Sequence, residues 1–330
     1  MTFQNFVRLV LHTGCAALVA ATTAAAADWK PDKAVELIVG TGPGSGVDNT
    51  ARTVQAILQT QKLVEPQITV NNKPGGPYAV AYNYLSQFPG DGTKLAIQTS
   101  TPLSALVTGQ LTIKYFEFAP IANLITEPIL FMVRAESPIA NGKDLAQRLK
   151  ADPSAVSIAL ANARGNAFHI TAALFARAAG ADAKKLKIVV YTSSGDAVAA
   201  LLGGHVDVVA VTPGNFLPLL EAKKIRILGL ASPKRLGGLL ATVPTFKEQG
   251  YDVVFDLPRS VMGAKGLTPD QVRYWDGVFG RMVKTDAWHQ AAEKNQWKEE
   301  YLNSADLAKS LKEQYEIWKD VLTEIGMAKQ

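Results

Sequence analysis

Cysteine is nearly missing. Cys15 stands alone in 330 residues, so no intramolecular disulfide and no cysteine-based zinc cluster can form. Histidine is scarce as well. Beyond the N-terminal segment only His169, His205 and His289 remain, and no two stand in H-x-x-x-H spacing, which excludes a zincin helix. No serine sits in G-x-S-x-G: two residues either side of Ser45 are Pro43 and Val47. Lys plus Arg number 34 against 29 for Asp plus Glu, an excess scattered without any run of five like charges, so the basic footprint of a nucleic-acid binder is absent. No apolar run past the N-terminus is long enough to cross a bilayer. Internal repeats and Pro/Gly/Ser-rich linkers are missing too. No catalytic residue, metal or cofactor is expected from these patterns.

What is present suits a packed α/β protein. Hydrophobic residues are 48% and charged residues 19%, enough apolar surface to bury a core. The length suggests about two domains. Residues 1–27 read as a cleavable secretory signal: Arg8 is followed by an apolar stretch from Leu9 to Ala20 and by Ala25-Ala26-Ala27 before Asp28. A lipoprotein signal at Cys15 fits less well, because His12 occupies the place of a leucine-like residue.

Past that segment, short apolar runs alternate with helical stripes. Strands are expected at Val35–Val39, Ile68–Val70, Lys94–Ile97, Val156–Leu160, Lys187–Tyr191, Val206–Val211 and Ile225–Leu230. Helices are expected where Val47, Ala51, Val54 and Leu58 recur, over Ala79–Leu85, around Ala167–Ala179 and over Asp196–Leu202. This alternation predicts α/β architecture with mostly parallel sheets. Towards the C-terminus, Thr268-Pro269-Asp270-Gln271 forms a capping box, and Leu307, Leu311, Tyr315, Trp318, Leu322 and Ile325 share one helical face that ends at Gly326. These helices are expected to close over one domain. Two domains without a linker imply short crossings and a ligand cleft between them.

Three polar turns join strands to helices. The first, Gly40-Thr41-Gly42-Pro43-Gly44-Ser45-Gly46, lacks the third glycine of a dinucleotide fingerprint and the G-K-[ST] of a Walker loop. It reads equally as an anion site at a helix start or as a tight β–α turn. The second is Asn162-Ala163-Arg164-Gly165-Asn166-Ala167-Phe168-His169, in which Arg164 is either a bidentate carboxylate partner or a solvated surface arginine. The third is Tyr191-Thr192-Ser193-Ser194-Gly195-Asp196, with Ser194 as the expected N-cap. Three such turns fit a ligand held at the carboxyl ends of strands. Phe168 and Tyr191 suit either an aromatic ligand or the core.

The chain resembles the extracytoplasmic solute-binding proteins of tripartite tricarboxylate transporters, the TctC or Bug family. The resemblance rests on Leu201-Leu202-Gly203-Gly204-His205-Val206-Asp207, Asn72-Lys73-Pro74-Gly75-Gly76, Pro89-Gly90-Asp91-Gly92, the strand and turn Ile225–Arg235, and Val243-Pro244-Thr245-Phe246-Lys247-Glu248-Gln249-Gly250, in this order and spacing. It implies a periplasmic-binding-protein-like (type II) fold of two Rossmann-like α/β domains with a ligand cleft between them. Domain 1 would be 28–131 plus 254–330 and domain 2 would be 132–253. Carried over by position, it places ligand contacts at Gly42, Gly44, Ser45, Gly46, Asp48, Thr99, Ser100, Thr101, Arg164, Gly165, Asn166, His169, Ser193, Ser194 and Thr212. It implies a small organic carboxylate as ligand and the permease subunits of such a transporter as partners, in the periplasm, with a monomer as the default and no catalysis. The alternatives are a sensory carboxylate-binding protein signalling to a membrane receptor and an exported α/β enzyme. The sequence departs from the family at the Gly40–Gly46 turn, at Thr212-Pro213-Gly214-Asn215, at Arg164 and at Asp196, all places that bear on ligand identity.

Overall fold

The computed structural model describes residues 29–329, so the signal segment at 1–27 lies outside the described residues. Two sheets divide the strands. The first is ordered β2-β1-β3-β10-β4-β11, where β1 is Val35–Val39, β2 Ile68–Asn72, β3 Lys94–Gln98, β4 Phe118–Pro128, β10 Asp256–Lys265 and β11 Lys298–Leu302. The second is ordered β7-β6-β8-β5-β9, where β5 is Leu130–Arg134, β6 Ser157–Ala161, β7 Lys187–Tyr191, β8 Val208–Val211 and β9 Ile225–Leu230. Both repeat one plan: three parallel strands in the order second, first, third, and then an antiparallel strand that has crossed from the other sheet.

The sheets are therefore mixed rather than mostly parallel. The antiparallel members are β10 on β3 and β4, β11 on β4, and β5 on β8 and β9. The reason lies in the crossings. A strand arriving from the other lobe enters at the far end of the sheet and runs the opposite way. β4 and β5 are separated by Ile129 alone, so the first crossing is nearly a continuous strand. The second runs from β9 to β10 and is tied to the first by the Ala231 N–H on the Ile129 carbonyl (2.7 Å).

Helices α1 (Gly46–Thr60), α2 (Ala79–Leu85) and α3 (Thr101–Val107) belong to the first lobe, and α4 (Gly142–Ala151), α5 (Ala167–Ala178), α6 (Ser194–Leu202) and α7 (Leu217–Glu221) to the second. α8 (Pro269–Met282), α9 (Asp286–Asn295) and α10 (Ser304–Glu324) complete the chain. The period-3.6 stripe of α1 buries Val47, Ala51, Val54 and Leu58. The capping box of α8 is formed by Thr268 and Gln271. α8 and α9 bury Trp275, Phe279 and Trp288 with α1 on one face of the first sheet. α10 packs on α3 and β4, yet its C-terminal turn reaches the second lobe, where Glu324 pairs with Arg177 of α5. It thus touches both lobes instead of closing over one. The largest apolar core runs from Ile38, Tyr82 and Ala96 through Ile129 to Phe131, Ile158 and Phe175, so the lobes share buried packing at the crossing.

Candidate functional site

The carboxyl ends of β1, β3, β6, β7 and β8 face one cleft, and the turns after them supply its walls. In the first turn, Ser45 caps α1 by accepting the Asp48 N–H (3.2 Å), and Thr41 and Ser45 share a hydrogen bond of 2.6 Å. Asp48 is buried and reaches back to accept the Gly44 N–H (2.8 Å), while Arg52 (3.0 Å) and Asn72 (2.9 Å) also donate to it. Burial alone would raise its pKa, but these donors outweigh burial and hold it below 3.8. Asp48 therefore braces the turn. It does not line the cleft.

In the second lobe, Asn166 caps α5 by accepting the His169 N–H (3.2 Å) and donates to the Ala161 carbonyl (2.6 Å). His169 Nδ1 accepts the Gly165 N–H at 2.9 Å. Burial, reinforced by the Arg164 charge, lowers the His169 pKa to about 4, so the ring is neutral at pH 7. Arg164 donates to the Ile188 carbonyl (2.8 Å), away from the cleft. The α6 cap is Ser193 rather than Ser194: its Oγ accepts the Asp196 N–H (3.1 Å) and donates to the Asp196 carboxylate (2.8 Å). With Ser193 doing the capping, the Ser194 side chain faces the cleft.

Of the residues singled out from the sequence, Gly42, Gly44, Ser45, Gly46, Thr99, Thr101, Asn166, Ser193, Ser194 and Thr212 line the cleft. Asp48, Arg164, Gly165 and His169 lie behind it as supports. Ser100 lines a separate groove under α10. The cleft has three adjoining chambers: an inner one of about 50 Å³, one of about 250 Å³ beside Glu127 and an outer one of about 630 Å³.

Sequence reasoning missed the floor. Arg259 of β10 and Glu127 of β4 are each buried and form an ion pair beneath the start of α1. Thr212 and Trp297 also donate to Glu127, whose carboxyl is pushed up by burial against the pull of these three partners. The pair explains Gly46: a Cβ there would stand 3.0 Å from Arg259 Nη2. Tyr78, Phe168 and Leu257 complete the inner chamber. The available signal was a lone charge inside each apolar stretch, Ile121–Ile129 and Leu257–Ala264, since such charges are rarely buried without a partner.

Two mixed α/β lobes joined by crossing strands, with a polar cleft at the strand ends, define a solute-binding protein of the periplasmic type. The chain matches the family model described as tripartite tricarboxylate transporter family receptor (TctC) over residues 50–327, and it belongs to that family. It is 30% identical to protein BugT of Bordetella pertussis over 275 residues, covering 81% of each chain. Its fold resembles that of Rhodopseudomonas palustris Rpa4515 with adipate (TM-score 0.82, 22% identity, 91% of this chain and 99% of that one). It also resembles MatC of the same organism with bound malate (TM-score 0.76, 21% identity, 88% and 99%). Family and fold are those of solute-binding proteins, not of enzymes.

Proposed function

We propose that this protein is a periplasmic receptor that closes its two lobes on a small organic carboxylate and delivers it, as a monomer, to the permease subunits of a tripartite tricarboxylate-type transporter. The moving units are 28–131 with 254–330, and 132–253. The observation that carries the reading is the convergence of the α1, α5 and α6 N-termini, from both lobes, on one cleft lined by hydroxyls and amides. Helix starts offer unpaired N–H groups and a positive dipole end, which suit a carboxylate. The adipate- and malate-bound neighbours support the same ligand class. Ligand contact falls to Gly42, Gly44, Ser45, Gly46, Thr99, Thr101, Asn166, Ser193, Ser194 and Thr212, held in place from behind by Asp48, Gly165 and His169.

Thermal-shift screening of the full chain against mono-, di- and tricarboxylates, followed by calorimetry, tests this. A ligand at about 100 times its Kd adds about 2.7 kcal/mol of stability. A hit that narrows the lobe separation in small-angle scattering is the expected result. No response to any carboxylate would overturn the reading.

A further inference from the structure

We propose that the cleft grips a single carboxylate against the Arg259 guanidinium and the Tyr78 hydroxyl, and that its ligand is a monocarboxylate with an uncharged body rather than a di- or tricarboxylate. This rests on the carboxylate-receptor reading above and narrows it.

The donors at the floor of the inner chamber are incompletely used. Arg259 is 2% exposed. Its Nη2 meets Glu127, and its Nη1 reaches only the adjacent Pro258 carbonyl at 3.5 Å. Its Nε has no hydrogen-bond partner among the described residues, although it is buried. Glu127 is the opposite case, since Arg259, Thr212 and Trp297 all donate to it. The acceptor side of the pair is full while the donor side is not, so the missing group is an acceptor. Tyr78 adds a second such donor: its hydroxyl is buried beside Arg259 with no hydrogen bond of ordinary geometry, and Thr99, which approaches it, favours the phenolate and so acts on its oxygen, leaving the proton without an acceptor. Burial pushes that phenol up to about 12, so it keeps its proton. Two unmet donors on one small chamber match the two oxygens of one carboxylate.

Charge and size limit the rest of the ligand. Among the described residues, Arg259 and Glu127 are the charged side chains that line the three chambers. They cancel each other, leaving the helix dipoles to offset one negative charge. A second carboxylate finds no cation, because Arg52 is turned to Asp48 and Asn72, and Arg164 to the Ile188 carbonyl. The inner chamber of about 50 Å³ has room for a head group, a water's share of volume being about 30 Å³. The body then passes Phe168 and Leu257 into the outer chamber, whose walls include Pro74, Pro77, Val190 and Tyr191.

Calorimetry of the full chain with two matched series tests the proposal: benzoate, terephthalate and benzamide, and hexanoate, adipate and hexanamide. In at least one series the monoacid is expected to bind at least about tenfold more tightly than both its diacid and its amide. Tyr78→Phe is expected to weaken that monoacid about tenfold. Glu127→Gln with Arg259→Met removes both charges without stranding either, and is expected to weaken it about a hundredfold. Circular dichroism and a melt check the fold of that variant, and the wild-type series carry the test if it does not fold. A diacid that wins in both series overturns the single-carboxylate inference and leaves the carboxylate receptor standing. Monoacid binding that survives the double substitution overturns the role of Arg259. Amides that bind as well as the acids, or no binding by any acid, overturn both readings.

Discussion

At the start of α1, Ser45 caps the helix and Asp48, three residues on, reaches back to the Gly44 N–H. At the start of α5, Asn166 caps the helix and His169, again three residues on, reaches back to the Gly165 N–H. Gly44 and Gly165 take up the same left-handed backbone, with φ of 77° and 83°. The geometry is repeated and the chemistry is not. The first lobe locks its turn with a carboxylate, which cancels part of the helix dipole that an anionic ligand would feel. The second lobe uses a neutral imidazole and leaves its dipole open. Among the described residues, only the first lobe carries a buried cation beneath the turn. The lesson is that a positive potential was built twice by different means: a bare helix terminus on one side, and a braced terminus plus Arg259 on the other.

Breaking the charge pair should separate the lobes most sharply. Arg259→Met alone strands Glu127 in the interior and should cost about 3–5 kcal/mol in urea unfolding, most of which Glu127→Gln should restore. Equal costs for the single and double variants would deny that the pair matters as a pair. Asp48→Ala removes a charged acceptor from Gly44, Asn72 and Arg52 and should cost about 2–3 kcal/mol.

Acidification acts on the second lobe first. The folded pKa of His169 lies below its ordinary 6.5, so its contribution is present above pH 6.5 and is lost as pH falls toward 4. Between pH 7 and pH 5 this amounts to about 2 kcal/mol. The Asp48 brace persists until the pH drops below 3.8. His169→Gln should flatten the pH dependence of unfolding in that window, and an unchanged slope would remove His169 as its source. The smallest contrast lies in the glycines. Gly44→Ala meets open space and should cost about 1–2 kcal/mol for its backbone alone. Gly165→Ala should cost more, because its Cβ would stand 3.2 Å from Thr108 and 3.3 Å from Met327. Equal melting temperatures for the two would show that the crowding relaxes.

The α/β plan was legible because local patterns wrote it. Helix Ala79–Leu85 and strands Lys187–Tyr191 and Ile225–Leu230 stand where the periodicity placed them. The crossing strands did not read as strands. β4 and β10 carry Pro120, Glu127, Pro258 and Arg259, residues that a strand disfavours on its own and tolerates once bulged and paired in this sheet. The site divided along the same line. Its turns were visible through glycines and N-caps, which act within a few residues. Arg259 and Glu127 lie far apart in the chain and become a pair only when β4 and β10 align.

That alignment also governs the order in which the molecule can be made. The second sheet uses one contiguous stretch, Leu130 to Leu230, and needs nothing further along. The first sheet is interrupted: β10 lies between β3 and β4, and β10 begins only at Asp256. During synthesis β3 and β4 therefore emerge with no partner for the edges they will share with β10, while the second lobe can already close. Such long-range pairing is slow to form and leaves strand edges open to wrong partners. The N-terminal part of the first sheet therefore cannot finish folding until the C-terminal strands arrive.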